Sequence, residues 1–173
     1  MTATLFVIAL LVASVSAAQP APPPACSEVE AYQELDFWVG EWDVFSGDQK
    51  VGTNVIAKIL DGCAVSESWT DSQGNEGKSL FYFNPREATW KQVWVTERAT
   101  ALWGTKEKTL VERFDGGAVR FQGELLTTDG SRILDRTTLT PLEDGSVRQL
   151  IEWSKDGGET WSAGFDAVYR RRR

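Results

Sequence analysis

The sequence predicts an all-β fold: an antiparallel up-and-down barrel of ten or eleven short strands, with a short N-terminal helix capping one end. Helical signals stop after Gly40, and segments of alternating apolar and polar residues follow. Turn residues separate these segments at hairpin spacing. A Gly-x-Trp pair, Gly40 and Trp42, opens the first strand; the glycine allows a tight entry and the indole plugs the barrel floor. Closure removes sheet edges, and a β-sandwich is the alternative.

The N-terminal segment 1–18 is predicted to be a secretory signal peptide, because its apolar run is too short to span a bilayer and ends in small residues. No Lys or Arg precedes the run, so a retained N-terminal anchor is the alternative. Cleavage near Ala17 or Ala18 leaves a Pro-rich linker over 19–26 and a single barrel domain over 27–173. We therefore expect a periplasmic or secreted protein with no membrane-spanning segment after cleavage.

Cys26 and Cys63 are the two cysteines of the chain. In an oxidising compartment the pair predicts a disulfide that ties the N-terminal segment to the barrel wall. Two buried free thiols, or a lipid-modified Cys26, are the alternatives, although the residues before Cys26 lack the pattern of a lipobox. Two thiols without histidine do not complete a zinc shell, so no metal site is expected.

The individual elements follow from local signals. Ser27 and Glu30 match a capping box, which predicts a helix from Ser27 to about Asp36. Gly, Asn, Asp or Pro in every well-marked turn supplies a positive or fixed φ. The predicted strands are 40–46, 51–60, 64–70, 78–83, 90–96, 101–106, 109–114, 118–127, 132–141, 147–154 and 161–171.

Composition excludes several classes of function. The chain has 18 basic and 25 acidic residues and a net charge of −7, which argues against binding to nucleic acid or anionic membranes. Its basic cluster, 170–173, is typical of a solvated tail; stacking of one of these arginines on Trp42 is the more specific alternative. The chain has no histidine, which removes triads and nearly all catalytic zinc or non-haem iron sites. We expect no cofactor.

The eight tryptophans of this chain suggest a binding pocket. Period-2 spacing places several of them on the same strand face as a polar residue. If these faces point inward, they form an apolar cavity with a few polar groups, suited to a small apolar or amphipathic molecule. The predicted ligand-binding residues are Glu67, Trp69, Trp90, Gln92, Trp94, Gln149 and Trp153. In the alternative the tryptophans only pack, and a slip of one residue turns Arg148, Leu150 and Glu152 inward.

Two further functions stay open at this point. One is a metal-free isomerase, hydratase or decarboxylase that uses a buried carboxylate, with Glu67 as the first candidate and Glu152 as the second. The other is a filled barrel that acts as an interaction module through outward-facing tryptophans. The segment 154–161 matches an Asp-box, but a sialidase-like propeller needs several copies at a fixed period, so one copy indicates a hairpin.

Four segments of the chain form a recognisable combination: 35–44, 61–69, 82–95 and 156–169. Together they resemble a family of exported bacterial proteins of unknown function with a calycin-like barrel, related to lipocalins and nitrobindins. The resemblance spans nearly the whole predicted mature chain and implies the barrel without an activity. Nitrobindin-type barrels hold haem iron through a histidine, which this chain lacks, and none of its tyrosines (32, 82 and 169) stands out as a substitute.

Overall fold

The computed structural model describes residues 22–172, and its strands form a closed antiparallel barrel in which each strand pairs with its sequence neighbours. The first and last strands pair to close it, so the predicted up-and-down barrel is confirmed and the sandwich is excluded. The strands are β1 (Gly40–Ser46), β2 (Gln49–Ile59), β3 (Ala64–Asp71), β4 (Glu76–Asn84), β5 (Thr89–Thr96), β6 (Thr105–Arg113), β7 (Val119–Leu126), β8 (Arg132–Pro141), β9 (Val147–Ser154) and β10 (Ser162–Arg171).

The predicted signal segment 1–18 and the first residues of the predicted linker lie outside the described part of the chain. Over residues 22–172, no helix has the length and apolar character needed to cross a bilayer.

The short N-terminal helical segment is present, but its predicted form, one helix from Ser27 to Asp36, is wrong. Val29 is extended, with φ −108° and ψ 117°, and this interrupts the helix after one turn. No side chain caps the first turn, so the predicted capping box is absent as well. The segment forms three 3-10 turns, and a fourth links β2 to β3: Cys26–Glu28, Glu30–Tyr32, Asp36–Trp38 and Leu60–Gly62.

The strands predicted at 101–106 and 109–114 are one strand, β6, and residues 97–104 connect it to β5. The predicted gap fell at Glu107 and Lys108. Lys106 and Lys108 instead face the barrel interior, where both ammonium groups pair with Asp135, so the strand continues through the charged run. The barrel therefore has ten strands.

An aromatic floor fills the end of the barrel that the 3-10 turns cover. Trp38, Trp42 and Trp90 are fully buried there with Phe81 and Phe121. Trp42 Nε1 donates to the Trp38 carbonyl over 2.9 Å, and Trp90 Nε1 donates to the Ala31 carbonyl over 3.0 Å. These bonds satisfy indole donors that burial would otherwise leave unpaired, so the turns and the floor form one packed unit.

The start of β1 is built as its sequence predicts. Gly40 has a φ of +153°, and a Cβ there would lie 2.5 Å from Nη1 of Arg171. The Arg171 guanidinium carbon stacks 4.5 Å from the centroid of the Trp42 ring, and Nη1 donates to the Val39 carbonyl over 3.3 Å. The cation–π contact between the C-terminal arginines and Trp42 is therefore present.

A disulfide joins Cys26 to Cys63, as predicted. It ties the first 3-10 turn to the connection between β2 and β3 at the covered end of the barrel. A stable disulfide fits a compartment outside the reducing cytoplasm.

The Asp-box segment forms the β9–β10 hairpin. The carboxylate of Asp156 accepts hydrogen bonds from the Thr160 amide at 2.9 Å and from the Ser154 hydroxyl at 2.7 Å. The Trp161 indole donates to the Gly158 carbonyl over 3.0 Å. The motif therefore stabilises the turn, as expected for a single copy.

Candidate functional site

A cavity of about 260 Å³ occupies the half of the barrel opposite the aromatic floor. Its outer wall is aromatic, and Trp69, Trp94 and Trp103 are partly exposed at its edge. Its deeper wall is polar. The lining residues are Glu67, Trp69, Gln92, Trp94, Thr96, Trp103, Lys106, Lys108, Thr137, Gln149, Ile151, Trp153, Phe165 and Tyr169.

All the predicted ligand-binding residues except Trp90 line this cavity. Trp90 lies four residues before Trp94 on the same inward face of β5, about 13 Å away along an extended strand. It therefore belongs to the aromatic floor, whereas Trp94 lies at the open end. The slipped register does not occur, because Arg148 pairs with Asp166 on the outer wall at 2.7 Å and does not line the cavity.

Three of the cavity indoles lie flat against glycines of neighbouring strands. A Cβ on Gly52 would lie 2.5 Å from Cη2 of Trp69, one on Gly77 would lie 2.3 Å from Cη2 of Trp94, and one on Gly164 would lie 2.2 Å from Cη2 of Trp153. Carbon atoms in contact are normally about 3.5 Å or more apart. The missing side chains are therefore what lets these rings lie against the wall and leave the cavity open.

The first prediction concerns Gly77. We expect Gly77→Ala to push the Trp94 ring about 1 Å into the cavity, because the added methyl needs a normal carbon–carbon separation. Isothermal titration calorimetry should then show several-fold weaker binding of 2-naphthalenemethanol, a small planar probe. In a Trp94→Leu background the same glycine change should have little effect, since the displaced ring is gone. Equal losses in both backgrounds would contradict this role for Gly77.

We call the open end of the cavity, with Trp69, Trp94, Trp103 and Trp153, the mouth. A belt of polar side chains crosses the barrel between the aromatic floor and this mouth. Strands β2 to β6 and β8 to β10 each contribute at least one inward-facing polar residue, while β7 contributes Gly123, which has no side chain. We call this set the polar belt; its members are Asn54, Glu67, Ser79, Gln92, Lys108, Asp135, Thr137, Gln149 and Tyr169, all of them buried.

One half of the polar belt is organised around Glu67. Its carboxylate accepts hydrogen bonds from Asn54 Nδ2 at 2.7 Å and from Ser79 Oγ at 2.6 Å. Ser79 in turn accepts from Gln92 Nε2 at 3.1 Å. Burial raises the pKa of Glu67 above its ordinary value of 4.5, although both hydrogen bonds favour the charged form. Glu67 therefore accepts two hydrogen bonds in a buried site that disfavours its charged form.

The other half is an ion-pair cluster. Lys108 Nζ lies 2.8 Å from Asp135 Oδ1 and donates to Thr137 Oγ1 over 2.6 Å, and Lys106 Nζ lies 3.0 Å from Asp135 Oδ2. Burial lowers the pKa of Lys108 to about 8, against the opposing effect of Asp135. Lys108 reaches Asp135 across β7 at Gly123, where a Cβ would lie 3.2 Å from Lys108 Cγ. Two lysines therefore share one carboxylate.

The second prediction is a pH dependence caused by Glu67. Because the folded state raises the pKa of Glu67, this group contributes stability that is fully present below pH 4.5 and is lost as pH rises through the folded-state pKa. Each tenfold difference in proton affinity is worth about 1.4 kcal/mol. Urea unfolding of wild type and Glu67→Gln between pH 4 and pH 8 should show the wild type losing stability relative to the variant. The exposed Glu124→Gln should show no such trend, and a constant difference for Glu67→Gln would contradict the prediction.

Trp103 closes one side of the mouth. It lies in the connection between β5 and β6 and stacks on Trp153, with ring centroids 4.2 Å apart and an interplanar angle of 21°. The Lys106 ammonium lies 5.4 Å from the Trp103 ring centroid. The mouth therefore contains a stacked pair of indoles beside a positive charge.

Sequence reasoning missed the lysine cluster, the Asn54–Ser79 donors, and Trp103, Phe165 and Tyr169. A signal for the cluster existed: Lys106 and Lys108 share one strand face, as do Asp135 and Thr137, at a spacing of two residues. Following the inward face from Gln92 to its cross-strand partner would have reached Lys108 directly. The predicted strand break at Glu107 and Lys108 concealed this pairing, because it left Lys108 outside any predicted strand.

No family model and no curated protein matches this chain. Across the described residues 22–172, no group of three or more His, Cys, Asp or Glu side chains is arranged to hold a metal ion. The geometry of the cavity is therefore the basis for a functional proposal.

Proposed function

We propose that this protein binds a small, planar, amphipathic molecule inside its barrel. The observation that carries the proposal is a cavity of about 260 Å³ whose outer wall is aromatic and whose deeper wall is polar. Such a cavity is slightly smaller than the usual range for ligand pockets, which is about 300–1,000 Å³. Its size suits a molecule with one or two rings.

The layering of the cavity sets the orientation of that molecule. Its apolar ring would pack among Trp69, Trp94 and Trp153 at the mouth, while its polar head would reach Glu67, Gln92 and Gln149 in the polar belt. Tyr169 Oη donates to Gln149 Oε1 over 2.6 Å, which fixes that amide and directs its nitrogen to another partner. The head would therefore enter first, and the ring would remain near the entrance.

Native mass spectrometry tests the proposal directly. The protein, purified gently from its exporting host, should carry an added mass of a few hundred daltons that is lost on denaturation. Trp94→Ala, which removes part of the aromatic wall, should reduce the loaded fraction, whereas Trp161→Ala on the β9–β10 hairpin should not. Absence of any added mass, together with no binding of small planar probes, would contradict the binding proposal.

A second candidate function is metal-free proton transfer. Two observations favour it: Glu67 and Lys108 line the same cavity, and burial shifts the pKa of each toward its neutral form. A carboxyl group with a raised pKa and an ammonium group with a pKa lowered to about 8 suit general acid–base catalysis. Exchange of the α-protons of 2-tetralone in D2O, followed by NMR, should be faster with wild type than with Glu67→Gln. Equal rates would reject catalysis by Glu67.

We also propose that the chain is exported and belongs with the exported calycin-like barrels that its motifs resemble. The disulfide between Cys26 and Cys63 supports export, since such bonds persist in oxidising compartments. The intact mass of the protein after expression of the full chain tests the cleavage site. Loss of residues 1–17 or 1–18 is the expected result; a full-length mass would favour the retained anchor.

A further inference from the structure

We infer that the polar head of the bound molecule is an anion, a carboxylate, and that it binds against the ammonium groups of Lys108 and Lys106. This inference rests on the proposed binding function and specifies its ligand class: an aromatic or otherwise planar monocarboxylic acid. Three features of the cavity carry it: two lysines that share one carboxylate, the free donor of Lys108, and the burial of Glu67 among hydrogen-bond donors.

Two ammonium groups, those of Lys106 and Lys108, share the single carboxylate of Asp135 at 3.0 and 2.8 Å. The other carboxyl group of the polar belt, Glu67, is disfavoured in its charged form by burial, so it compensates the second lysine only weakly. Lys108 and Asp135 are both buried, and only 12% of the Lys106 side chain is exposed. A buried cation without its own counter-ion is costly, so this cluster favours one further negative charge.

Lys108 has a donor left to meet that charge. An ammonium group has three donors, and Lys108 uses two of them, on Asp135 Oδ1 and Thr137 Oγ1. Its cross-strand partner on β5 is Gln92, which also lines the cavity. A ligand carboxylate at this place would accept a charge-assisted hydrogen bond from Lys108, a stronger type of bond than a neutral one.

Glu67 does not offer a competing site for a cationic head. Each of its two oxygens already accepts a hydrogen bond, from Asn54 and from Ser79. Burial also disfavours its charged form. The carboxylate that would attract a cation already accepts two hydrogen bonds and is disfavoured in its charged form, whereas the lysine side of the belt keeps an unused donor and positive charge.

The ring of such a ligand also fits the mouth. Lys106 lies between the polar belt and Trp103, with its ammonium 5.4 Å from the Trp103 ring centroid. A planar ring packed against Trp94 would leave a carboxylate attached to it on the side of Lys106 and Lys108. The aromatic wall and the charge cluster thus bind two parts of one molecule.

Calorimetric titration with a matched pair of probes tests the inference. The probes are 2-naphthoate and 2-naphthalenemethanol, which share a ring system and differ in head-group charge. At pH 7 we expect 2-naphthoate to bind about tenfold or more tightly, as one buried charge-assisted hydrogen bond implies. Lys108→Met should remove most of that difference between the two probes. Lys78→Met, on the exposed outer face of β4, is the matched control and should change neither affinity.

A pH titration of the wild-type protein provides a readout that needs no variant. Because the pKa of Lys108 is lowered to about 8, the advantage of 2-naphthoate should decrease between pH 7 and pH 9.5, while 2-naphthalenemethanol binds equally at both. The other charged groups facing Lys108 are Asp135, Lys106 and Glu67. An advantage that persists unchanged at pH 9.5 would overturn the assignment to Lys108.

The remaining outcomes separate this inference from the function on which it rests. If the two probes bind equally well, or the alcohol binds more tightly, the anionic head group is wrong and the binding function stands. If neither probe binds and the native protein carries no added mass, the binding function itself fails, and the head-group assignment fails with it.

Discussion

Replacing Asp135 with Asn should destabilise the protein by about 3–5 kcal/mol, the usual cost of removing one partner from a buried ion pair. Asp135 is 1% exposed and is the shared counter-ion of Lys106 and Lys108. The amide would leave two ammonium groups inside the barrel without a charge partner. Urea unfolding at pH 6.5 measures the loss, and Asp166→Asn is the control, because its pair with Arg148 is nearly half exposed and is worth about 0–1 kcal/mol.

The loss should also depend on pH. Without Asp135 the pKa of Lys108 falls below about 8, so the folded variant holds this proton less tightly than the folded wild type does. Below pH 8 this weaker proton binding lowers the free energy of unfolding of the variant relative to the wild type. As pH rises past about 8, Lys108 becomes neutral in both folded proteins, so the difference in their free energies of unfolding should shrink. A deficit of the same size at pH 6.5 and pH 9.5 would show that the charge of Lys108 is not its cause.

Truncating Trp42 to Ala should cost about 3–5 kcal/mol, as is typical of the removal of a large buried aromatic side chain. Trp42 is fully buried in the aromatic floor, where its indole donates to the Trp38 carbonyl and its face contacts the Arg171 guanidinium. The change would open a cavity at the covered end and leave an acceptor unpaired. Chemical denaturation with intrinsic fluorescence measures the loss.

Two variants separate the parts of this effect. Arg171→Met removes only the cation–π contact and the bond to Val39, and should cost about 0.5–1 kcal/mol. Trp103→Ala makes the same chemical change at the mouth, where the ring is partly exposed and packs on one side. If Trp103→Ala destabilised the protein as much as Trp42→Ala, the floor would not be the main source of aromatic stabilisation.

The parts of the structure that the sequence predicted are those set by local pattern. Gly40 and Trp42 mark the first strand by their spacing, hairpin residues mark the turns, and period-2 alternation placed Glu67 and Trp69 on one face. Cys26 and Cys63 could pair only with each other within this chain. Each of these inferences needed a few neighbouring residues or a single possible partner.

The parts that it did not predict depend on position in three dimensions. Trp90 and Trp94 share a strand face, but depth along the barrel assigns one to the floor and the other to the cavity. Lys108 and Asp135 lie on strands separated by β7, and Lys108 passes beside Gly123, where a Cβ would lie 3.2 Å from Lys108 Cγ. Val29 adopts an extended conformation where the local capping pattern favours a helix. The alternation of apolar and polar residues identifies which residues share a strand face. It does not give their depth in the barrel or the register between strands.

Under the proposed binding function, the indoles that lie against Gly52, Gly77 and Gly164 have a consequence for ligand selectivity. The width of the entrance depends on Gly52, Gly77 and Gly164, which lie behind the rings of Trp69, Trp94 and Trp153. A single added methyl at one of these positions would narrow the entrance without replacing any side chain that touches the ligand. Related barrels could therefore differ in the girth of the molecules they admit while keeping the same head-group chemistry, and the backbone behind the aromatic wall would serve as the size filter.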